Sequence, residues 1–64
     1  MESYKEHDVV KLVFDLPHRN LFKGDKGTIV YVYPNAGDVY EVEFLREKGT
    51  PLIFMLHHSY LENI

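Results

Sequence analysis

The chain contains no cysteine, which excludes a disulfide scaffold, a cysteine-based zinc site and a thiol nucleophile. It also lacks a long apolar run, because no stretch approaches the roughly 20 residues that a membrane-spanning helix needs. Residues 1–7 are polar and lack the apolar segment of a signal peptide. These absences predict a cytoplasmic protein without a membrane partner.

Basic residues are scarce as well. Lysine and arginine number 7 against 10 aspartates and glutamates, so the net charge is −3 at pH 7. Nucleic-acid binding draws most of its affinity from lysine and arginine at phosphates, and this balance argues against nucleic acid as a partner. The 64 residues leave room for one domain with a small core.

Segments of β-favouring residues separated by turn residues predict five short strands. Alternation with a period of two places the apolar side chains of each strand on one face. The third strand shows this best, with Tyr40, Val42 and Phe44 inward and Glu41 and Glu43 outward. The strands are expected at residues 8–14, 28–33, 39–45, 50–56 and 60–64, and the other core candidates are Val10, Leu12, Phe14, Ile29 and Leu61.

The connections complete the predicted architecture. Residues 15–23 contain Pro17 and a polar cluster, so they predict a long loop, with Leu21 or Phe22 as a buried anchor. Tight hairpins are expected at residues 34–38 and 46–49, and one 3₁₀-like turn at residues 57–59. The pattern predicts an all-β domain, a five-stranded SH3-like barrel over residues 8–64 behind a polar lead-in at 1–7, because closing the sheet limits its exposed edges.

The second strand leaves two arrangements open. Gly24 suits a turn with positive φ, and Gly27 predicts a bulge or a close backbone approach. A bulge near Val30 or Tyr31 turns Val32 inward and leaves Tyr31 and Tyr33 half exposed. Without a bulge, Ile29, Tyr31 and Tyr33 share one face. The two glycines lack the lysine, the serine or threonine and the helix of a phosphate-binding loop.

Three stretches carry a family resemblance: residues 8–10 with 15–17, residues 24–30 and residues 40–44. Together they resemble a family of short bacterial proteins classed as a domain of unknown function. The resemblance implies an SH3-like fold and supplies no catalytic residues. Such proteins are often encoded beside a larger partner, which implies an antitoxin-like, immunity-like or accessory role. Residues 24–30 are also similar to the strand entry of KOW-type barrels, which associate with ribosomes and transcription complexes.

The residues that could support chemistry do not form a recognisable site. His57 and His58 are adjacent, so on a strand they point to opposite sides, and zinc sites use more widely spaced ligands. Glu41 and Glu43 share one strand face with no expected cleft, and neither Ser3 nor Ser59 has the surroundings of a nucleophile. We therefore expect no enzyme, no metal and no cofactor.

The aromatic and apolar residues point to a protein-interaction module. Tyrosine is enriched in binding surfaces, and the strand at 50–56 is apolar on both faces, which predicts weak self-association. The acidic residues Asp15, Asp25 and Asp38 are expected beside the tyrosines. The candidate partner-binding residues are Tyr31, Tyr33, Tyr60, Leu52, Phe54 and Met55.

A KOW-like nucleic-acid or ribosome-associated barrel is the alternative function. Four basic residues near the long loop support it, although the net charge opposes it. They are Lys11, Arg19, Lys23 and Lys26.

Overall fold

Five strands and two 3₁₀ turns make up the regular structure of the chain. A computed structural model describes residues 4–35, 37–45 and 49–64. The strands are β1 (Val9–Leu12), β2 (Lys26–Val32), β3 (Val39–Phe44), β4 (Leu52–His57) and β5 (Leu61–Asn63). The 3₁₀ turns are Pro17–Arg19, inside the long loop, and His58–Tyr60, before β5. The all-β class, the five strands and the turn before the last strand are confirmed.

The strands form one antiparallel sheet in the order β4-β3-β2-β1-β5. Within the described residues β4 and β5 are the two edges and do not pair with each other, so the sheet is open. The prediction of a closed barrel is therefore wrong for these strands. The turn His58–Tyr60 carries the chain from β4 to the opposite edge, where the short β5 pairs with β1. In the same described residues no helix is long and apolar enough to cross a bilayer.

The core lies on one face of this sheet, mostly where alternation predicted it. Seven of the eight core candidates are buried: Val10, Leu12, Ile29, Tyr40, Val42, Phe44 and Leu61. Phe14 is the wrong one, because its side chain is 54% exposed. The first strand ends at Leu12, so the alternation stops before Phe14, which packs edge-on against Tyr60 with ring centroids 5.7 Å apart.

The segment before β1 takes part in this packing. Tyr4 is buried, and its ring meets Tyr40 edge-on at 5.4 Å and stacks on His58 at 5.2 Å. The backbone N–H of His7 donates to the carbonyl of Ile29 at 2.7 Å. Residues 1–7 were predicted as a polar lead-in, and Tyr4 gives that segment a place in the core.

The long loop between β1 and β2 folds back on itself. Leu21 is buried and forms an isolated bridge with Leu16, whereas Phe22 is exposed. The expectation of one buried anchor is confirmed. Asp15 accepts a hydrogen bond from the N–H of Lys23 at 2.8 Å, and Asp25 from that of Phe22 at 2.9 Å. These two aspartates stabilise the loop.

The entry to β2 depends on its glycines and on one bulge. Gly24 has φ +94°, as its predicted turn requires, and a Cβ on Gly27 would lie 2.7 Å from Val42 Cγ1. The register shifts between Ile29 and Tyr31, which confirms the arrangement with a bulge. Val32 consequently packs against the core. Most of the hairpin predicted at residues 46–49 lies outside the described residues. So do Ala36, which belongs to the hairpin predicted at residues 34–38, and Ser3.

Candidate protein-binding face

The strand register builds a second, outward surface across β2, β3 and β4. Residues directly opposite each other on antiparallel strands have neighbouring side chains on the same face. One row across the three strands is Tyr31, Glu41 and Met55. The adjacent row is Thr28, Glu43 and Ile53. Tyr33 contacts both Tyr31 and Glu41, and together with the two rows it makes up the seven residues that are called the outer face below.

The apolar side chains of the outer face are open to solvent. Ile53 is 54% exposed, Met55 60% and Tyr31 43%. Along β4, Ile53 and Met55 alternate with residues whose side chains lie on the inner side of the sheet. The apolar side chains of this strand therefore lie on both sides of the sheet. The sequence expectation that one side of this strand is exposed is confirmed at these two positions.

Two glutamates carry all the charge of the outer face. Glu41 and Glu43 are half-buried between the flanking strands. Among the described residues the ion pair joins Lys11 Nζ to Glu62 Oε2 at 3.3 Å, on a different part of the sheet, and neither Glu41 nor Glu43 has a lysine or arginine partner. The outer face is therefore apolar at its edge and negative at its centre.

The tyrosines surround one of these carboxylates. The Tyr33 hydroxyl donates a hydrogen bond to Oε2 of Glu41. This bond raises the pKa of Tyr33 above its ordinary value of 10.0, and desolvation and the negative charge of Glu41 act in the same direction. The rings of Tyr31 and Tyr33 are nearly perpendicular, at 83°, with centroids 4.9 Å apart.

The structure brings together three of the six predicted partner-binding residues. Tyr31, Tyr33 and Met55 lie on the outer face, whereas Leu52 and Phe54 pair with Phe44 and Val42 on the inner side of β4. Tyr60 lies in the second 3₁₀ turn, beside Phe14.

Sequence reasoning did not select Glu41, which it treated as a solvated residue of a sheet face. The signal was its outward position in the strand alternation, and only the register reveals that a tyrosine lies opposite. Two of the three aspartates expected beside the tyrosines, Asp15 and Asp25, instead accept the loop hydrogen bonds described above.

A depression lies beside β4, on the side of the long loop. It has a volume of about 170 Å³ and is lined by Leu16, Arg19, Met55, Leu56, His57 and Tyr60. The guanidinium carbon of Arg19 lies 4.7 Å from the centroid of the Phe54 ring. Phe54 packs against the core on the inner side of β4, and Arg19 lies over its ring.

The adjacent histidines serve the second 3₁₀ turn. His57 Nδ1 accepts a hydrogen bond from the N–H of Ser59 at 3.1 Å, which caps the turn. His58 is half-buried against the Tyr4 ring rather than solvated. In the part of the chain that the structure describes, no three His, Cys, Asp or Glu residues are close enough to hold a metal ion.

Comparison with protein families gives a match over most of the chain. The model of a family described as "Domain of unknown function (DUF4926)" matches residues 6–59 of this chain. Searches of curated proteins and of solved structures found no match.

Proposed function

The chain belongs to the family described as a domain of unknown function (DUF4926), and from this premise we propose that it is a small, non-catalytic protein-interaction module. The observation that carries the proposal is the outer face, where Ile53 and Met55 are exposed along β4 and Tyr31 is exposed on the other side of Glu41. Exposed apolar side chains grouped with polar residues on one surface are typical of interaction sites. Tyrosine and methionine are also enriched in protein interfaces.

The charge of the outer face defines the chemistry of the partner. Glu41 and Glu43 lie between exposed apolar side chains and have no basic partner among the described residues. A complementary surface presents apolar side chains together with lysine or arginine, since opposite potentials across an interface favour association. An antitoxin-like, immunity-like or accessory subunit that covers a basic protein encoded by a neighbouring gene fits this description.

Retention of a partner from the native host tests the proposal. The tagged chain is expected to retain a protein in stoichiometric amount, and Met55→Lys to lose it, because a lysine replaces exposed apolar contact area. Phe22→Lys is the matched control, since Phe22 is also exposed and apolar but lies in the loop. Equal retention by Met55→Lys and the wild type, or no retained protein at all, would overturn the proposal.

For the fold, we propose an SH3-like architecture. The support is the order of elements: a long loop after β1, short connections between β2, β3 and β4, and a one-turn link before β5. A crystal structure compared with SH3-like domains tests it, and strands that do not superpose in the same order would contradict it.

A KOW-like nucleic-acid-binding role is the second candidate. Its support is that Lys11 lies directly opposite Lys26 in the pairing of β1 with β2. Lys11 is already paired with Glu62, and Arg19 lies over Phe54, which leaves fewer cations for phosphate. A gel shift with RNA at increasing salt tests it. Submicromolar binding near physiological salt that is weakened by Lys26→Glu would favour this candidate over the first.

A further inference from the structure

Glu41 lies at a position where three side chains of the outer face meet it. Tyr31 is its direct partner on β2, and Met55 is its direct partner on β4. The Tyr33 hydroxyl donates to Oε2. Glu41 thus lies between the β2 position of Tyr31, whose ring is nearly perpendicular to that of Tyr33, and the β4 position of Met55.

This arrangement has the properties that attract a cation. The faces of tyrosine rings carry negative electrostatic potential and bind guanidinium or ammonium groups. Hydrogen bonds between a cation and a carboxylate are shorter and stronger than neutral ones. Glu41 is half-buried, and no lysine or arginine of the described residues neutralises it. The only hydrogen bond found for its carboxylate comes from Tyr33 to Oε2, so Oε1 remains available among these residues.

We infer that Tyr31, Tyr33 and Glu41 form a binding subsite for one arginine side chain of a protein partner, which rests on the proposed interaction function. The guanidinium lies over the exposed Tyr31 ring and donates to Oε1 of Glu41, while its aliphatic stem covers Met55. Arginine fits better than lysine because its planar guanidinium stacks on aromatic rings and is more weakly hydrated.

A titration followed by nuclear magnetic resonance tests the subsite without the partner. The probe is N-acetyl-arginine N-methylamide, and the control is the citrulline analogue, which has nearly the same shape but no charge. We expect the arginine probe to shift the ring resonances of Tyr31 and Tyr33 and the side-chain resonances of Glu41. The citrulline analogue should bind about fivefold more weakly, since a cation–π contact at an exposed site is modest.

Two matched variants separate a defined subsite from general attraction to a negative surface. Glu41→Gln keeps the size of the side chain and an acceptor for the Tyr33 hydroxyl, and it should remove the preference for arginine. Glu43→Gln removes the same charge from the same strand face and should leave the preference intact. Both variants are expected to keep the dispersed amide spectrum of the folded protein.

The inference is wrong if the citrulline analogue binds as well as the arginine probe, or if neither shifts the tyrosine ring resonances. It is also wrong if Glu43→Gln reduces the preference for arginine as much as Glu41→Gln does. Its failure is separate from that of the proposed function. Partner retention that depends on Met55 but not on Glu41 would keep the interaction face and remove the arginine subsite. Binding of the arginine probe without any retained protein would keep the subsite for arginine and contradict the proposed interaction function.

Discussion

At the scale of single residues, the outer face depends on how each side chain meets its neighbours across the sheet. Glu41 occupies an ordinary outward position of a strand, and its surroundings come entirely from the residues opposite, Tyr31 and Met55. Gly27 also depends on its neighbours across the sheet, but on the inward side. The space that a side chain would need there is occupied by the side chains of Val42 and Phe44.

Gly27→Ala should destabilise the protein. The new Cβ would lie 2.7 Å from Val42 Cγ1 and 2.9 Å from Phe44 Cε1, closer than carbon atoms pack. Overpacking of this kind costs about 1–3 kcal/mol, which urea unfolding measures. Thr28→Ala, at the next position of β2, should cost less because Thr28 is half-buried on the outer face. An unfolding free energy of Gly27→Ala within about 0.5 kcal/mol of the wild type would contradict the close approach.

The hydrogen bond between Tyr33 and Glu41 predicts a loss of stability at alkaline pH. The folded state raises the pKa of Tyr33 above 10.0 because the protonated hydroxyl donates to the carboxylate. The corresponding stabilisation is complete below pH 10 and is lost as the pH rises through the raised pKa. Urea unfolding at several alkaline pH values should show this dependence in the wild type and less of it in Tyr33→Phe. Identical profiles for both proteins would show that the bond adds no stability.

At the scale of secondary-structure elements, β4 is the unusual strand. Edge strands are normally protected by charges, proline or bulges. Residues 52–56 contain no charged residue and no proline, and β4 pairs with β3 without a register shift. The other edge, β5, is only three residues long and contains Glu62.

Weak self-association through β4 should therefore be measurable at high protein concentration. Sedimentation velocity is expected to show a concentration-dependent shift towards a dimer, because Ile53 and Met55 gain burial when two copies pair. Met55→Lys should give a monomer at every concentration, whereas Phe22→Lys should behave as the wild type does. A wild-type chain that stays monomeric at millimolar concentration would rule this prediction out.

The strands also show how much of the fold the sequence predicts. In β3 a strict alternation of apolar residues with glutamates determined both the strand and its inward face, because only one orientation buries the apolar side chains. In β2 and β4 both faces are apolar, so alternation could not orient them. The bulge between Ile29 and Tyr31 and the pairing of Ile53 with Glu43 depend on neighbouring strands. The surroundings of Glu41 could not be predicted from the sequence for the same reason.

At the scale of the whole molecule, the small core uses residues from both sides of the predicted boundary at residue 8. The sequence offered little sign of this, since Tyr4 is one aromatic among polar residues and has no periodic neighbours. It packs against Tyr40 and His58, which belong to β3 and the second 3₁₀ turn. The N-terminal segment thus joins elements that are distant in the sequence.

Tyr4→Ala should cost the fold about 3 kcal/mol, because removal of a large buried side chain leaves a cavity. A domain of this size has a total stability of only a few kcal/mol. The thermal unfolding midpoint should fall sharply in Tyr4→Ala and much less in Tyr4→Phe, which keeps the ring contacts. A midpoint unchanged by Tyr4→Ala would show that the segment is not part of the stable core.

The pairing of β1 with β5 has a topological consequence. Val10 lies directly opposite Asn63, so the last strand runs back along the first and the chain leaves the sheet close to where it entered. A circular permutant that joins residues 64 and 4 through a short linker and opens at the 34–38 hairpin would preserve every strand neighbour. Circular permutation is tolerated where chain ends lie close together and the new ends lie in an exposed turn. In such a protein β3 becomes the first strand, and the outer face is assembled from the two ends of the new chain.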